Sequence, residues 1–197
     1  MATGHDANIT PNAGDFATAP AMTAETFFSY PNEGRRLELV AGEIREMSPC
    51  GFDHGALMIH LGSLLMDFAR KDCAVRLASG DVGFVIARNP DTVLAPDIAV
   101  VRSDRIPATG CPRFVEGAPD LAVEIVSPSD RASDVEAKAR HWIGCGARVV
   151  WVVHGAKKTV TVYLAGGKRS TLVSNETLDG GDVLPGFACD VRRIFEV

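Results

Sequence analysis

The chain has 197 residues, of which 46% are hydrophobic and 23% are charged, and its formal net charge is −5. This length suits one domain with a full hydrophobic core, or at most two small domains. The acidic balance argues against a protein that coats nucleic acid by charge alone, although it leaves room for a local basic groove.

The five cysteines are scattered and never stand at CxxC spacing, which argues against a disulfide framework and against a zinc ribbon. No stretch approaches about 18 consecutive apolar residues, and the N-terminus has no positive region followed by an apolar run. We therefore expect no signal peptide, no membrane span and a cytoplasmic location.

Residues 1–21 are rich in Ala, Thr, Gly, Asn and Pro and have no hydrophobic periodicity, which predicts a flexible N-terminal tail. We expect residues 22–197 to form a single domain. At the start of that domain, Thr23 is a suitable cap for a short helix in MTAETFFSY. The segment RRLELVAGEIREM then indicates two strands joined by a hairpin turn at Ala41 and Gly42.

A longer helix is predicted to begin at Asp53 and to end near Lys71 and Asp72. Its apolar residues recur at intervals of three or four, a spacing that places them on one buried face. These residues are Leu57, Leu61, Leu65 and Phe68.

The segments GDVGFVI, DIAVV, DLAVEIV and RVVWVV are short, rich in Val and Ile, and separated by Pro, Gly and Asp. They indicate strands of one central sheet. Helical segments are interspersed with these strands, which predicts an α/β fold with helices packed on a mixed sheet. Another hairpin is predicted around Gly166 and Gly167.

The segment SDVEAKARHWIGCG, between the last two of these strands, is predicted to be helical. Ser133 and Glu136 match an S-x-x-E capping box at its start, and glycines end it. Lys138 falls on the apolar stripe of this helix, together with Trp142. The stripe therefore carries an ammonium group on the side that faces the sheet.

The strand in PDLAVEIVSPSD contains a carboxylate, Glu124, among residues that are otherwise apolar or small. Such a strand is typically buried on both faces, and a buried carboxylate is costly unless a cation, a metal ion or several donors compensate it. Asp97, at the start of the preceding strand, shares the Glu124 side of the sheet if the two strands are neighbours.

Two close carboxylates repel each other, and a divalent cation with a preference for oxygen is the common remedy. Lys138, on the helix that follows the Glu124 strand, would supply a positive charge in addition to such a metal cation. A structural ion pair, or a lysine whose head group reaches past the packed face to water, is the plain alternative for Lys138.

The order Asp97, then Glu124 in an apolar strand, then a lysine resembles the PD-(D/E)XK restriction-endonuclease-like superfamily. In that superfamily two acids hold Mg²⁺ and a lysine assists the attack of water. A longer series is similar to the bacterial Uma-two family of endonucleases, and it covers the chain from about residue 22 to the end. The series is RRLELVAGEIREMSP, His54 at a helix start, APDIAVV, GAPDLAVEIVSPSD, Lys138, GCGARVVWVV and VLPGF.

The resemblance implies a restriction-endonuclease-like core, with a mixed central sheet flanked by helices and with N-terminal and C-terminal β-hairpins. It also implies an endonuclease or related phosphodiesterase in which Asp97 and Glu124 bind Mg²⁺, or Mn²⁺, and Lys138 assists catalysis. In the parent motif the lysine stands two residues after the glutamate, where this chain has Val126. Lys138 must therefore reach the site from the neighbouring helix. The family usually has a tyrosine where this chain has Trp142, to which we assign no catalytic role.

Two further Pro-Asp pairs, at Asp91 and Asp120, compete with Asp97 for the role of first acid. Asp97 is favoured because it alone leads directly into an apolar strand upstream of the Glu124 strand.

Glu38 and Glu43, on the first hairpin, are candidates for a third acid, and His54 is a candidate for lining the site. The plain alternatives are solvated glutamates and a histidine satisfied near a helix start. Ser127 has neither a GxSxG elbow nor a paired histidine in the sequence, so we do not expect it to be a nucleophile.

Three functional hypotheses follow. The first is a Mg²⁺-dependent phosphodiesterase acting on nucleic acid, a substrate that rests on the resemblance only. The second is a nuclease fold kept as a binding or assembly module, with Asp97, Glu124 and Lys138 as a buried polar network. The third is hydrolysis of a small phosphorylated ligand in a closed pocket. Membranes are not expected as partners, and a homodimer is left open.

Overall fold

A computed structural model describes residues 21–72, 74–128 and 130–197. In this part of the chain no helix is long and apolar enough to cross a membrane. In chain order the elements are α1 (Ala24–Phe28), β1 (Arg36–Val40), β2 (Glu43–Met47), α2 (Phe52–Asp72), β3 (Val75–Ser79), β4 (Phe84–Ala87), β5 (Thr92–Leu94), β6 (Ile98–Arg102), a 3-10 turn (Ser103–Arg105), β7 (Val115–Glu116), β8 (Leu121–Ile125), α3 (Ala132–Gly144), β9 (Val149–His154), β10 (Thr159–Leu164), β11 (Arg169–Leu172), β12 (Thr177–Gly180), β13 (Leu184–Asp190) and α4 (Val191–Ile194).

The central sheet has six strands in the order β11-β10-β9-β8-β6-β3. β8 and β9 are parallel, and the other neighbours are antiparallel, which confirms the predicted mixed sheet. The parallel pair needs a crossover connection, and α3 supplies it. The predicted hairpin between β10 and β11 is also confirmed, since Gly166 and Gly167 both take positive φ angles at its turn.

A second sheet has five strands in the order β2-β1-β5-β4-β7. It contains the predicted N-terminal hairpin, in which Val40 pairs with Glu43 across the turn. The prediction that the segment GDVGFVI joins the central sheet is wrong, because β4 pairs with β5 and β7 instead. β4 buries Phe84 against one hydrophobic cluster and Val85 against another, and a short strand that is apolar on both faces does not indicate which sheet it will join.

The central sheet is covered on both faces, and β8 shows this most clearly because all five of its residues are buried. Leu121, Val123 and Ile125 pack in the cluster that contains the buried face of α2. Ala122 packs in the opposite cluster, with Trp142 of α3 and residues of the second sheet. Because Glu124 shares the face of Ala122, it points towards α3 and the second sheet rather than towards α2.

The two predicted longer helices are both present. α2 runs from Phe52 to Asp72, and its predicted apolar face is buried or partly buried in the core. The predicted capping box of α3 is wrong, because the helix begins at Ala132 and Ser133 lies inside its first turn. The Ser133 hydroxyl donates to Asp134, and Glu136 accepts hydrogen bonds from Arg140 and Arg169.

The predicted flexible tail, residues 1–21, lies outside the described ranges except for Ala21, and the single domain over residues 22–197 stays a prediction. Removing residues 1–20 is expected to leave the thermal unfolding midpoint almost unchanged, since their sequence offers no periodic apolar face to bury. Calorimetry on the full-length and shortened chains checks this. A fall comparable to the loss of a core element would contradict it.

Candidate active site

Three of the buried carboxylates, Glu38, Asp97 and Glu124, meet in one cleft, a cavity of about 450 Å³. It lies where β1, the start of β6 and the end of β8 approach the first turn of α2 and the first two turns of α3. The lining residues that carry titratable or hydroxyl groups of interest are Glu38, His54, Asp97, Glu124, Ser127 and Lys138. The structure thus brings Asp97, Glu124 and Lys138 together, along with Glu38 and His54.

Asp97 and Glu124 are brought together by strand register. β6 and β8 are antiparallel neighbours, with Ile98 paired to Val123 and Ala99 paired to Ala122. Continuing this register by one step places Asp97 opposite Glu124 on the same face. Both carboxylates are buried, at 7% and 8% exposure. A separation of about 4 to 6 Å between them, suitable for sharing one cation, stays a prediction.

Glu124 is compensated by two donors from α3. The ammonium Nζ of Lys138 lies 3.1 Å from Oε2, and the indole Nε1 of Trp142 donates to Oε1 at 2.6 Å. Lys138 and Trp142 are four residues apart, so both side chains project from one face of the helix towards β8. Burial raises the pKa of Glu124 to about 7, and the Asp97 charge adds to this, although Lys138 partly offsets both effects.

The ammonium group of Lys138 lies close to carboxylates from both the central sheet and the second sheet. Its Nζ also lies 3.6 Å from Oε1 of Glu38, which is buried on β1 of the second sheet and accepts a hydrogen bond from the backbone N–H of Ala95. Burial lowers the pKa of Lys138, but the charges of Glu124 and Glu38 outweigh that effect and the pKa is raised. Lys138 therefore remains an ammonium ion at neutral pH.

The structure does not bring Glu43 to the cleft. Glu43 is exposed beside the hairpin turn at the far end of β2, whereas Glu38 lies mid-strand. Alternation does not separate the two glutamates, because Glu43 pairs with Val40, which shares the face of Glu38. The distance along the hairpin keeps Glu43 away from the cleft.

His54 connects Asp97 to Ser127. Nε2 of His54 lies 3.0 Å from Oδ1 of Asp97, and Nδ1 lies 3.2 Å from the hydroxyl of Ser127. The hydrogen bond to Asp97 raises the pKa of His54 despite partial burial. Burial raises the pKa of Asp97, but hydrogen bonds from His54 and from the N–H of Ile125 outweigh it, so this pKa is lowered.

The prediction that Ser127 has no paired histidine is wrong, because His54 comes from a helix 73 residues earlier in the chain. The backbone N–H of Ser127 donates to Asp130 at 2.7 Å. Since that N–H is already engaged, it is not free to stabilise an oxyanion beside the hydroxyl. The Asp97, His54 and Ser127 contacts therefore form a hydrogen-bonded chain that orients the Asp97 carboxylate.

The other two Pro-Asp carboxylates have structural partners outside this cleft. Asp91 accepts from the backbone N–H of Ala24 and from Arg88, which ties α1 to the second sheet. Asp120 accepts from the backbone N–H of Arg102 and from Arg105. Both are buried and compensated by these contacts, and neither lines the cleft.

The donor set of the cleft fits a hard divalent cation that keeps part of its hydration shell. Among the described residues, no three His, Cys, Asp or Glu side chains are arranged to hold a metal ion by themselves. Mg²⁺ is commonly bound by one or two carboxylates, with waters and substrate phosphates completing its shell. Asp97 and Glu124 satisfy that smaller requirement.

Sequence reasoning missed two contributors to the cleft, Trp142 and Arg131. Trp142 had no role assigned, although its position four residues after Lys138 was the signal that both reach Glu124. Arg36 and Arg131 also line the cleft, and Arg36 forms an ion pair with Asp81. Arg36 stands 88 residues before Glu124, so no local pattern connects the two, and Arg131 precedes the first residue of α3, where helix periodicity does not say which way a side chain points.

Replacing Trp142 by phenylalanine is expected to destabilise the protein by about 1–3 kcal/mol more than the same change at Trp151. Both indoles are fully buried and pack against a phenylalanine ring, so both variants lose similar ring volume. Only Trp142→Phe also removes a donor from a buried carboxylate, since Nε1 of Trp151 has no partner in the described chain. Denaturant unfolding of both variants measures the difference, and equal losses would contradict the role given to Trp142.

Comparison with known proteins agrees with this architecture. The fold is similar to a crystal structure described as "a putative nuclease belonging to DUF820" from Anabaena variabilis ATCC 29413, with a TM-score of 0.75 and 20% sequence identity. The match covers 88% of this chain and 97% of that chain, and at this identity it shows the fold alone. A comparison with curated proteins finds no match.

A family model gives the more specific result. The model described as "Uma2: Putative restriction endonuclease" matches residues 24–192. This range contains the six-stranded and five-stranded sheets, α1 to α3 and every residue discussed for the cleft. The restriction-endonuclease-like α/β fold that the sequence predicts is confirmed. Because the family model matches most of the sequence, the chain belongs to the Uma2 family.

Proposed function

We propose that this protein is a Mg²⁺-dependent nuclease that hydrolyses phosphodiester bonds in the cleft between α2, α3 and the ends of β6 and β8. The observation that carries the proposal is that the ammonium of Lys138, which is only partly exposed, lies 3.1 Å from the buried carboxylate of Glu124, and that Glu124 stands opposite Asp97 on the neighbouring strand. Membership of a family described as restriction endonucleases supports the same reaction class.

In this proposal Asp97 and Glu124 hold the Mg²⁺ ion, and Mn²⁺ can replace it. When bound, the ion would activate water and offset charge on the phosphate. His54 and the N–H of Ile125 hold one Asp97 oxygen each, at 3.0 and 2.7 Å, and so keep that carboxylate in one orientation. Preorganised groups of this kind cost no reorganisation during the reaction.

The role proposed for Lys138 follows from its protonation. Because its pKa is raised, Lys138 remains a cation at neutral pH and acts as a hydrogen-bond donor and charge rather than as a proton acceptor. A phosphodiester gains negative charge on its non-bridging and leaving oxygens as it reacts, and a fixed ammonium within reach stabilises that charge.

The charge of the cleft also bears on substrate binding. Arg36 and Arg131 line its walls and can contact phosphates, but Glu46, Asp130 and Asp134 line it as well. With a net charge of −5 on the whole chain, attraction over a long distance is weak. We therefore propose that nucleic acid engages the cleft only when a divalent cation offsets these carboxylates.

The test is a titration with Mg²⁺ or Mn²⁺, followed by a cleavage assay on single-stranded and double-stranded DNA and RNA and on a small phosphodiester. Metal-dependent cleavage that disappears in Asp97→Ala is the expected result. Arg140→Ala, an exposed change on α3, is the matched control and should cleave normally. Cleavage of the small phosphodiester alone would replace nucleic acid by a small phosphorylated substrate.

A second candidate function is a binding or assembly module that keeps the fold without catalysis. It is favoured by one observation: each oxygen of Asp97 and Glu124 already has a protein partner within 3.1 Å. A buried polar network of this kind is satisfied by protein groups alone. Calorimetry that detects no Mg²⁺ or Mn²⁺ binding, together with inertness on every substrate, would favour this second function.

A further inference from the structure

The end of α1 lies in an exposed cluster of aromatic and cationic side chains, which we call the Phe28 platform: Phe28, Arg113 and Phe114. The rings of Phe28 and Phe114 meet edge to face, with their centroids 5.1 Å apart, and Phe28 is 42% exposed. The guanidinium of Arg113 lies over the Phe28 ring, 5.7 Å from its centroid. Tyr30, two residues after Phe28, adds another exposed ring beside the platform in the sequence.

The rings of the platform are fixed by buried neighbours. Phe27 is buried, and its ring packs against Phe114 with the centroids 5.8 Å apart. Phe114 also lies directly against Gly83, where an added Cβ atom would come within 2.5 Å of the ring. Because these rings are already held in place, a flat ligand that stacks on them costs little further ordering of side chains.

The guanidinium of Arg113 has no ion-pair partner in the part of the chain that the structure describes. The carboxylates that stand near the platform in the sequence are paired with other arginines, Glu25 and Glu116 with Arg88, and Glu33 with Arg35. An unpaired guanidinium beside exposed rings suits a ligand that carries both flat groups and negative charge. Nucleic acid is a polymer with this chemistry, because each phosphate is linked to a base with a π-face.

The platform and the cleft share one end of the second sheet. α1 packs on the outer face of this sheet through Phe27, and the chain then enters β1 at Arg36, whose side chain lines the cleft. Arg36 is paired with Asp81, two residues before Gly83, and two residues span at most about 7 Å of chain. Since Gly83 touches Phe114, a strand bound in the cleft can reach the platform by passing the end of the sheet.

We propose that the Phe28 platform stacks the bases of single-stranded nucleic acid whose phosphate is bound in the cleft, and that it makes the nuclease prefer single strands. This inference rests on the proposed function, because it takes the cleft as the place of cleavage. Bases in a duplex stack on one another, whereas unpaired bases are free to stack on aromatic rings or on guanidinium planes. Every base has a π-face, so the platform selects for strandedness rather than for sequence.

The net charge of the chain favours binding through the bases. At −5 the whole chain attracts phosphates only weakly over a long distance, so a nuclease with this charge needs contacts that do not depend on it. Stacking of one base on an aromatic side chain changes affinity by about 5-fold to 150-fold. A single well-placed ring can therefore supply much of the affinity that a basic surface supplies elsewhere.

The first experiment measures binding by fluorescence anisotropy, with a labelled oligothymidylate of about twelve nucleotides and with its duplex. It uses the full-length chain with Lys138→Met and Mg²⁺, so that the bound strand is cut slowly. Phe28→Leu removes the ring and should weaken single-strand binding about fivefold or more, whereas Phe28→Trp should retain it. Ile59→Ala, which removes an exposed apolar side chain on α2, is the matched control and should bind like its parent.

Three results of this experiment would overturn the proposal. They are a Phe28→Leu protein that binds the single strand like its parent, a parent protein that prefers the duplex, and binding that appears only after residues 1–20 are removed. The last result would show that the N-terminal segment occupies the platform.

The second experiment detects stacking directly. Phe28→Trp places an indole on the platform, and the oligothymidylate should quench its fluorescence when a base stacks on it. Leu164→Trp is the control, because Leu164 is exposed on β10, away from α1, and its indole should not be quenched. Trp142 and Trp151 are fully buried and are common to both variants. Equal quenching of the two variants would overturn the platform.

Cleavage kinetics separate a failure of the platform from a failure of the nuclease. Phe28→Leu should raise the KM for single-stranded DNA about fivefold or more relative to the KM for a small phosphodiester, which is too short to reach the platform. If the wild-type chain cleaves DNA and this ratio does not change in Phe28→Leu, the platform is wrong and the nuclease stands. If the chain cleaves nothing but the oligothymidylate still quenches Phe28→Trp, the nuclease is wrong and base stacking at the platform stands.

Discussion

Replacing Lys138 by methionine is expected to lower phosphodiester cleavage by about a hundredfold or more while Mg²⁺ still binds. Methionine keeps much of the apolar length of the side chain on α3, so the packing beside Trp142 is largely preserved. What is lost is the ammonium 3.1 Å from Glu124 and, in the proposed mechanism, the charge that meets the phosphate. Cleavage kinetics and calorimetric titration with Mg²⁺ measure the two effects separately.

Asp97→Ala is the informative comparison, because it should lose both metal binding and cleavage. If Lys138 served only to balance the buried acids, Lys138→Met would instead lose about 1–3 kcal/mol of stability in metal-free protein, and Mg²⁺ would restore much of it. A Lys138→Met protein with full activity would remove the lysine from the mechanism.

Lowering the pH from 8 to 6 is expected to weaken the apparent Mg²⁺ affinity about tenfold, because the cation binds the ionised form of Glu124. The pKa of Glu124 is raised to about 7 by burial and by Asp97, so the ionised fraction falls steeply below neutral pH. Calorimetric titration at a series of pH values measures this dependence. An affinity that does not change with pH would show that Glu124 is not a ligand.

The raised pKa of Glu124 also makes the stability of the metal-free protein fall as the pH rises. A carboxyl whose pKa rises from 4.5 to about 7 on folding contributes stability that is fully present below pH 4.5 and is lost as pH rises through 7. At 1.36 kcal/mol per pH unit this amounts to about 3 kcal/mol. His54 acts in the same direction, since its pKa is raised above 6.5, whereas the lowered pKa of Asp97 contributes stability that is lost only in acid.

Glu124→Gln separates these contributions. The amide keeps the size of the side chain and cannot ionise, so the variant should lose the part of the pH dependence that lies between 4.5 and 7 and keep the part that comes from His54. Denaturant unfolding in the absence of divalent cations, at pH 5 and pH 8, makes the comparison. A variant with the same pH profile as wild type would contradict the raised pKa of Glu124.

Local patterns in the sequence were sufficient to predict most of the helices and strands. Short runs rich in Val and Ile, bounded by Pro, Gly and Asp, identified β6, β8 and β9, and the spacing of Leu57, Leu61 and Leu65 identified the buried face of α2. The same local reasoning singled out Glu124 and Lys138, since a carboxylate in an apolar strand and an ammonium on an apolar helix face are both costly without partners.

Only the tertiary structure decided which groups meet these charges. Strand register set Asp97 against Glu124, the second sheet brought Glu38 to Lys138, and α2 brought His54 between Asp97 and Ser127. Each of these contacts joins residues between 27 and 100 positions apart, over which periodicity carries no information, because the pairing of distant elements depends on the packing of the whole core. The sequence by itself therefore determined which residues need partners, and the tertiary structure decided which partners they have.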